Sequence, residues 1–150
     1  MQVTVISRKR PPIPVAGIRR LVETIGQGEG VPTTAALTVV VTDDREIQEL
    51  NARFRGKRRP TNVLAFSNEM EPAGFPMSRE DGQYLGDVVV SLDRARAEAR
   101  QERVTVGERT LRLIAHGVLH LLGFDHQDDD QARVMAGKEQ QYLGATWSGG

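Results

Sequence analysis

The three histidines of the chain, His116, His120 and His126, lie within eleven consecutive residues. His116 and His120 are four residues apart, so on a helix their imidazoles share one face, one turn apart. Gly123 follows, and glycine readily adopts the left-handed conformation that ends a helix and turns the chain back. His126 can then return to the same point as the first two rings. The spacing predicts that the three imidazoles bind one metal ion.

The expected coordination number favours zinc. Three neutral imidazoles at about 2.0–2.1 Å fill three corners of a zinc tetrahedron and leave the fourth to water or substrate, as in catalytic zinc sites. Imidazole also binds nickel, copper and iron, so ligand type alone does not select the ion. In the alternative, the histidines are ordinary residues on a partly buried helix and bind no metal. This alternative would account for any single one of them, but it accounts poorly for all three together. We predict one Zn²⁺ ion.

Residue 117 distinguishes this pattern from that of zinc peptidases. In His-Glu-x-x-His peptidases the glutamate after the first histidine activates the zinc-bound water, and this chain has Gly117 there. The spacing of Gly123 and His126 after His116 is otherwise that of the metzincin peptidases. Loss of a positioned acid or base costs about 10²–10⁴-fold in rate. The sequence predicts a zincin-like metal helix and disfavours peptide hydrolysis, which stays a minor alternative.

The composition is that of one domain, which we predict to span residues 1–150. The 150 residues are 39% hydrophobic, enough for a core. With no cysteine, histidine must carry any metal. Basic and acidic residues number 20 each, so net charge alone predicts no polyanion partner. No run approaches about 18 apolar residues and no leader-like segment begins the chain, so we expect a cytoplasmic protein without a membrane partner.

Alternating strand and helix patterns cover most of the chain. Thr105 and Glu108 have the spacing of a capping box that begins the metal helix, and Asp93 is predicted to cap the helix before it. The acidic residues 128–130 are better explained as helix-starting charges than as metal ligands. The predicted strands are 3–7, 36–42, 63–66 and 84–92, the predicted helices are 14–26, 43–54, 93–103, 105–122 and 128–142, and residues 68–83 and 148–150 are a predicted loop and a frayed end.

Strands separated by helices, without regular alternation near the end, predict an α+β or mixed α/β fold. One small sheet is expected to pack against helices. The pattern leaves the strand order open.

Five basic residues crowd into seven positions ahead of strand 63–66. A solvated helix end would explain such a cluster, and so would contact with RNA phosphates, whose affinity falls steeply with salt. Aromatic residues make up only 5% of the chain, so base stacking is a weak expectation. The cluster consists of Arg53, Arg55, Lys57, Arg58 and Arg59.

Three segments resemble those of one known family. The run His-Gly-x-Leu-His-Leu-x-Gly-x-Asp-His, here residues 116–126, is similar to the signature of the YbeY family of bacterial endoribonucleases. Residues 55–66 resemble the family's second characteristic segment and residues 85–87 its third. Ala65 stands where relatives commonly carry serine, and Asn62 where aspartate is frequent. Neither difference touches the histidines, and the resemblance covers most of the chain from about Asp43 onward.

The resemblance implies a zinc-dependent endoribonuclease for single-stranded RNA. Its implied role is maturation of the 3′ end of small-subunit (16S) ribosomal RNA, and ribosome quality control. The implied catalytic residues are the three histidines, as metal ligands, and Arg55. Implied partners are ribosomal RNA and the small ribosomal subunit, with ribosomal proteins or assembly GTPases as further candidates.

Arg55 and two carboxylates are given roles that suit this activity. A guanidinium is permanently charged and matches phosphate oxygens with a planar fork, so we predict that Arg55 stabilises charge on the reacting phosphate. We predict that Asp125 orients a ligating imidazole, with proton acceptance as its alternative. Asp87 is either a turn residue or a partner of a ligand.

A non-enzymatic function stays open at this point. In that alternative the protein is a ribosome assembly factor whose metal is structural and whose basic cluster docks ribosomal RNA. A carboxylate from elsewhere in the chain would then close the fourth corner of the metal site. The sequence identifies neither a general base nor a cleavage site.

Overall fold

A computed structural model describes residues 1–67 and 84–147, with side chains described as far as residue 144. The predicted loop at 68–83 and the predicted frayed end at 148–150 therefore lie outside the described residues. The elements in chain order are β1 (Gln2–Ser7), α1 (Val15–Gly28), β2 (Ala36–Thr42), α2 (Asp44–Arg55), β3 (Val63–Ser67), β4 (Tyr84–Ser91), α3 (Leu92–Glu102), α4 (Val106–Leu121) and α5 (Asp129–Trp147).

The four strands form one mixed sheet in the order β1-β2-β4-β3. Strands β1, β2 and β4 are parallel, and β3 pairs antiparallel with β4 at the edge. Parallel neighbours need long crossover connections, which the helices supply. The central strands are almost entirely apolar because helices cover both faces of the sheet. The predicted α+β class with a single small sheet is confirmed, and the strand order is added to it.

Helix α4 lies at the centre of the larger of two hydrophobic cores. It contacts β3 and β4 of the sheet and also helices α1, α3 and α5. The residues of α4 that face this core, such as Ile114 and Val118, are completely buried. The smaller core lies on the other face of the sheet, where Ile47 of α2 packs against Phe66 and Val89. Side chains carried by α4 are therefore supported on several sides.

Most helix ends lie within two residues of the predicted ones, and the start of α3 and the end of α5 need explanation. Helix α3 begins at Leu92 and its cap is Ser91, whose Oγ accepts from the backbone N of Arg94 at 3.4 Å, so the prediction that Asp93 is the cap is wrong. Serine and aspartate are comparable caps, and Asp93 instead accepts from the backbone N of Asp44 at 2.9 Å. Helix α5 runs on to Trp147, because buried residues continue to its Leu143.

The threonine half of the predicted capping box is observed at the start of α4. The hydroxyl of Thr105 accepts a hydrogen bond from the backbone N of Glu108 at 3.0 Å. The predicted helix start at the acidic run is also observed, since Asp128 Oδ1 accepts from the backbone N of Gln131 at 2.8 Å. In the described part of the chain, no helix combines the length and the apolar character needed to cross a membrane.

Candidate active site

The three histidines meet at the C-terminal end of α4. His116 and His120 lie on the last two turns of the helix, and the backbone N of Gly123 donates to the carbonyl of His120 at 3.1 Å. Gly123 has a φ of +106°, as predicted for the turn that ends the helix. This turn returns the ring of His126 to within 5.2 Å of the His116 ring and 6.3 Å of the His120 ring, measured between centroids.

A cavity of about 510 Å³ opens between α4 and strand β3 with the loop that precedes it. The cavity brings the histidines together with part of the basic cluster. Arg53 and Arg58 are exposed and do not line it. The charged and titratable side chains on its walls are Arg55, Lys57, Arg59, His116, His120 and His126.

Arg55 is held over the edge strand by the main chain. It occupies the last position of α2, which ends at Gly56 in the left-handed conformation with φ +69°. Its Nη2 donates to the carbonyl oxygen of Ala65 at 3.2 Å, and its guanidinium carbon lies 6.0 Å from the centroid of the Phe66 ring. The guanidinium stays exposed, so it is available to a phosphate that enters the cavity.

Asn51 fixes the loop that carries the other two cavity cations. Its side chain is only 3% exposed, and its Nδ2 donates to the carbonyl oxygen of Arg59 at 3.0 Å. The backbone N of Lys57 donates to the carbonyl of Asn51 at 3.2 Å. Asn51 was not among the predicted site residues. A signal for it exists in the sequence, because Asn51 stands four residues after Ile47, on the buried side of an amphipathic helix.

Two of the imidazoles are oriented through their Nδ1 atoms. The Nδ1 of His116 lies 2.9 Å from Oε2 of Glu139, and the Nδ1 of His120 lies 3.0 Å from the carbonyl oxygen of Phe124. A carbonyl oxygen can only accept, so the Nδ1 of His120 must carry the proton. In a neutral ring that leaves the Nε2 lone pair for a ligand. Ligating histidines usually bond a carboxylate or a carbonyl in this way.

Glu139 could not have been found from the sequence. It follows His116 by 23 positions, and no local spacing connects the two residues. Their contact arises because α5 packs across α4.

The rings suit a zinc ion in chemistry, whereas their present separation is slightly too large. Tetrahedral coordination places the centroids of two ligating imidazoles about 5 Å apart. The His116–His126 separation of 5.2 Å meets this value, and the His120–His126 separation of 6.3 Å exceeds it. In agreement with that excess, no group of three His, Cys, Asp or Glu residues within the described ranges is close enough to hold a metal ion.

The two predicted carboxylates occupy other positions. Oδ1 of Asp125 accepts from the backbone N of His126 at 2.8 Å, so this carboxylate shapes the turn. Asp87 is completely buried in β4 and accepts a hydrogen bond from the Tyr84 hydroxyl. Its neighbour Val88 faces α4, and alternation along the strand turns Asp87 to the opposite face of the sheet. Asp87 is therefore not brought to the histidines.

Gly117 is required by the packing of α4 on the sheet. A Cβ at this position would lie 2.5 Å from Cγ1 of Val88 and 3.2 Å from Cγ2 of Val63. Carbon atoms in contact are normally about 3.5–4.0 Å apart. A glutamate here, as in the peptidases, would collide with the sheet unless α4 moved away.

Comparison with known proteins agrees with this arrangement. A family model described as endoribonuclease YbeY matches residues 13–146. The chain belongs to the endoribonuclease YbeY family. The YbeY protein of Azorhizobium caulinodans is 41% identical over 116 residues, 77% of this chain and 70% of that protein. The YbeY protein of Bacillus cytotoxicus is 36% identical over 134 residues, 85% of this chain and 83% of that protein.

A solved structure shares the fold of this chain. The solution structure of TM1509 from Thermotoga maritima matches with a TM-score of 0.68 and 27% identity. The match covers 98% of this chain and 90% of that one. The family description and the relatives' names both state endoribonuclease activity, which places YbeY proteins among the phosphodiester hydrolases.

Proposed function

We propose that this protein is a metal-dependent endoribonuclease, with zinc as its metal. The observation that carries the proposal is the shared cavity, which is lined by three imidazoles, a guanidinium and two further cations. A metal ion and an arginine that line one cavity can bind the same phosphate. The names of the family members give the reaction class, and the cavity contains the groups that can bind a metal ion and a phosphate.

His116, His120 and His126 would hold the ion. A bound zinc ion polarises a phosphoryl oxygen or lowers the pKa of its water ligand. The carboxylate of Glu139 and the carbonyl of Phe124 keep two of the imidazoles in the tautomer that offers Nε2. Because these rings are fixed before substrate arrives, little reorganisation is needed during the reaction.

Arg55 stabilises the charge that grows on the phosphate oxygens in the transition state. Its hydrogen bond to Ala65 directs the guanidinium over the edge strand, and its exposed face can bind two phosphate oxygens at once. Lys57 and Arg59 contribute mainly to the binding of neighbouring phosphates. Arg55 therefore has the catalytic role, and the loop that carries Lys57 and Arg59 provides affinity for RNA.

We further propose that the substrate is single-stranded ribosomal RNA of the small subunit, at its 3′ end, within a role in ribosome maturation and quality control in the cytoplasm. The similarity of residues 55–66, 85–87 and 116–126 to the family's characteristic segments supports this substrate. Ribosomal proteins and assembly GTPases are the expected partners, since a cavity with three cations and few aromatic residues offers little for reading bases by itself.

The test is cleavage of precursor small-subunit ribosomal RNA, as naked RNA and within assembling particles. Zinc-loaded protein is compared with His116→Ala protein purified identically, with chelator-treated protein, and with chelated protein to which zinc is restored. Cleavage only by the zinc-loaded and restored samples supports the proposal. Equal cleavage by the His116→Ala protein would show a contaminant, and no cleavage by any sample would favour the assembly-factor alternative.

Digestion of casein by the same samples tests the peptidase alternative. Because Gly117 stands where those peptidases carry the glutamate that activates the zinc-bound water, we expect no digestion.

A further inference from the structure

The C-terminal helix α5 supplies the one acidic side chain that contacts a histidine ring within the described residues. Glu139 has 14% of its side chain exposed, against 31% for His116, so the contact is sheltered on both sides. The two residues approach at 2.9 Å through Nδ1 and Oε2, the distance of a charge-assisted hydrogen bond. A carboxylate in this position accepts from Nδ1, leaves Nε2 of the ring for a ligand and places a negative charge beside the imidazole.

Glu139 is placed by separate contacts that Lys138, its chain neighbour, and Tyr142, about one turn further on, make with Glu29. Nζ of Lys138 lies 3.0 Å from Oε2 of Glu29, just after α1, and the hydroxyl of Tyr142 donates to the same carboxylate. Lys138 also lies 5.7 Å from the centroid of the Phe124 ring, and Phe124 is the residue whose carbonyl accepts from His120. The register of α5 is thereby fixed beside the histidines.

We propose that Glu139 is a positioning residue of the metal site, acting through His116 on metal affinity. This inference rests on the proposed function, because it requires that the three histidines bind zinc. Its carboxylate accepts from Nδ1 of His116, leaves Nε2 for the ion and places a negative charge next to the ligating ring. The effect is electrostatic as well as steric, and it distinguishes Glu139 from a residue that merely holds α5 against α4.

The experiment measures zinc affinity by competition with a chromophoric chelator, and records the visible spectrum of the cobalt-substituted protein. Changes in such supporting partners typically cost about 10–100-fold in metal affinity. We expect Glu139→Gln to weaken zinc binding by about 10-fold, because the amide oxygen can still accept from Nδ1 but the charge is lost. Glu139→Ala, which also loses the acceptor, should approach about 100-fold.

Two matched variants complete the design. Glu108→Gln removes one exposed negative charge from the start of α4, about 12 Å of helix away from His116, and should bind zinc as wild type does. Glu29→Gln breaks the contact with Lys138 and loosens α5 without touching His116. It should lower the melting temperature of the metal-free protein while weakening zinc binding less than Glu139→Gln does.

The outcomes separate this inference from the proposed function. If wild-type protein binds no zinc, the metal-dependent function fails and this inference fails with it. If wild type binds zinc and both Glu139 variants bind it equally well with an unchanged cobalt spectrum, only the positioning role is overturned. Equal losses in Glu29→Gln and Glu139→Gln would also overturn it, since they would show that Glu139 acts only by holding the helix.

Discussion

Replacing Gly117 by alanine should destabilise the protein, although alanine is normally the better helix residue. The new Cβ would lie 2.5 Å from Cγ1 of Val88, about 1 Å inside normal contact, and 3.2 Å from Cγ2 of Val63. Extra carbon in a packed core costs about 1–3 kcal/mol, and the change from glycine to alanine within a helix returns about 1 kcal/mol. We expect a net loss of about 1 kcal/mol, which lowers the melting temperature by about 2–4 °C in a chain of this size.

The same substitution should also reduce catalysis. If α4 moves away from β3 to relieve the contact, the histidines move relative to Arg55 across the cavity. A displacement of about 1 Å in a reacting group can cost about 10²-fold in rate. Cleavage should therefore fall by more than the small fraction of unfolded protein can explain.

Calorimetry and urea unfolding measure the stability, with two matched variants. Gly137 lies on the exposed side of α5, and a Cβ added there would have no neighbouring atom within 4 Å, so Gly137→Ala should stabilise the protein by up to about 1 kcal/mol. In a Val88→Ala background only the 3.2 Å contact with Val63 remains, so adding Gly117→Ala should then cost less stability than it does in the wild type. If Gly117→Ala raises the melting temperature as Gly137→Ala does, the packing argument is refuted.

Three further predictions concern charge. Arg55→Ala should lower kcat for RNA cleavage by about 10²–10³-fold with little change in the Kd for RNA. Arg53 lies outside the cavity, so Arg53→Ala should change neither quantity. Equal losses in kcat and in affinity would show that Arg55 only binds RNA. Lys57→Ala should lower the slope of log Kd against log salt concentration by about 0.7. A slope equal to that of the wild type would show that this loop does not contact RNA phosphates. Burial and Glu29 raise the pKa of Tyr142 from 10.0 to about 12. A raised folded-state pKa stabilises the protein below about pH 10 and loses that effect between about pH 10 and 12, so unfolding scans should show the stability advantage of wild type over Tyr142→Phe shrinking across that interval; a constant difference would contradict it.

The part of the site that was predictable is the part encoded by short spacings. His116, His120 and the turn at Gly123 follow from one helix and its end, so the sequence determines them through backbone geometry alone. Asn51 and Glu139 depend instead on which helix packs beside which element. Neither contact has a signature within a few residues of the histidines, and only the three-dimensional arrangement shows them.

The fold shows the same division between local and tertiary information. The bounds of β2 were predicted to the residue because a short β-branched run has few alternatives. The cap of α3 was misplaced, because Ser91 and Asp93 are both good caps and only packing decides between them. For Asp87, the strand was predicted but its facing was not, since a shift of one residue exchanges the two faces. The order of the strands requires contacts between distant segments.

The supports of this site differ in how they would respond to random substitution. Arg55 is tethered by the carbonyl of Ala65, and His120 by the carbonyl of Phe124. Every amino acid carries that oxygen, so in a library of single substitutions these two tethers survive any replacement at 65 or 124 that leaves the backbone in place. Glu139 offers its acceptor through a side chain, and a single codon change can remove it. The mutational tolerance of the site is therefore uneven, and its vulnerable support lies in the helix furthest along the chain from Arg55.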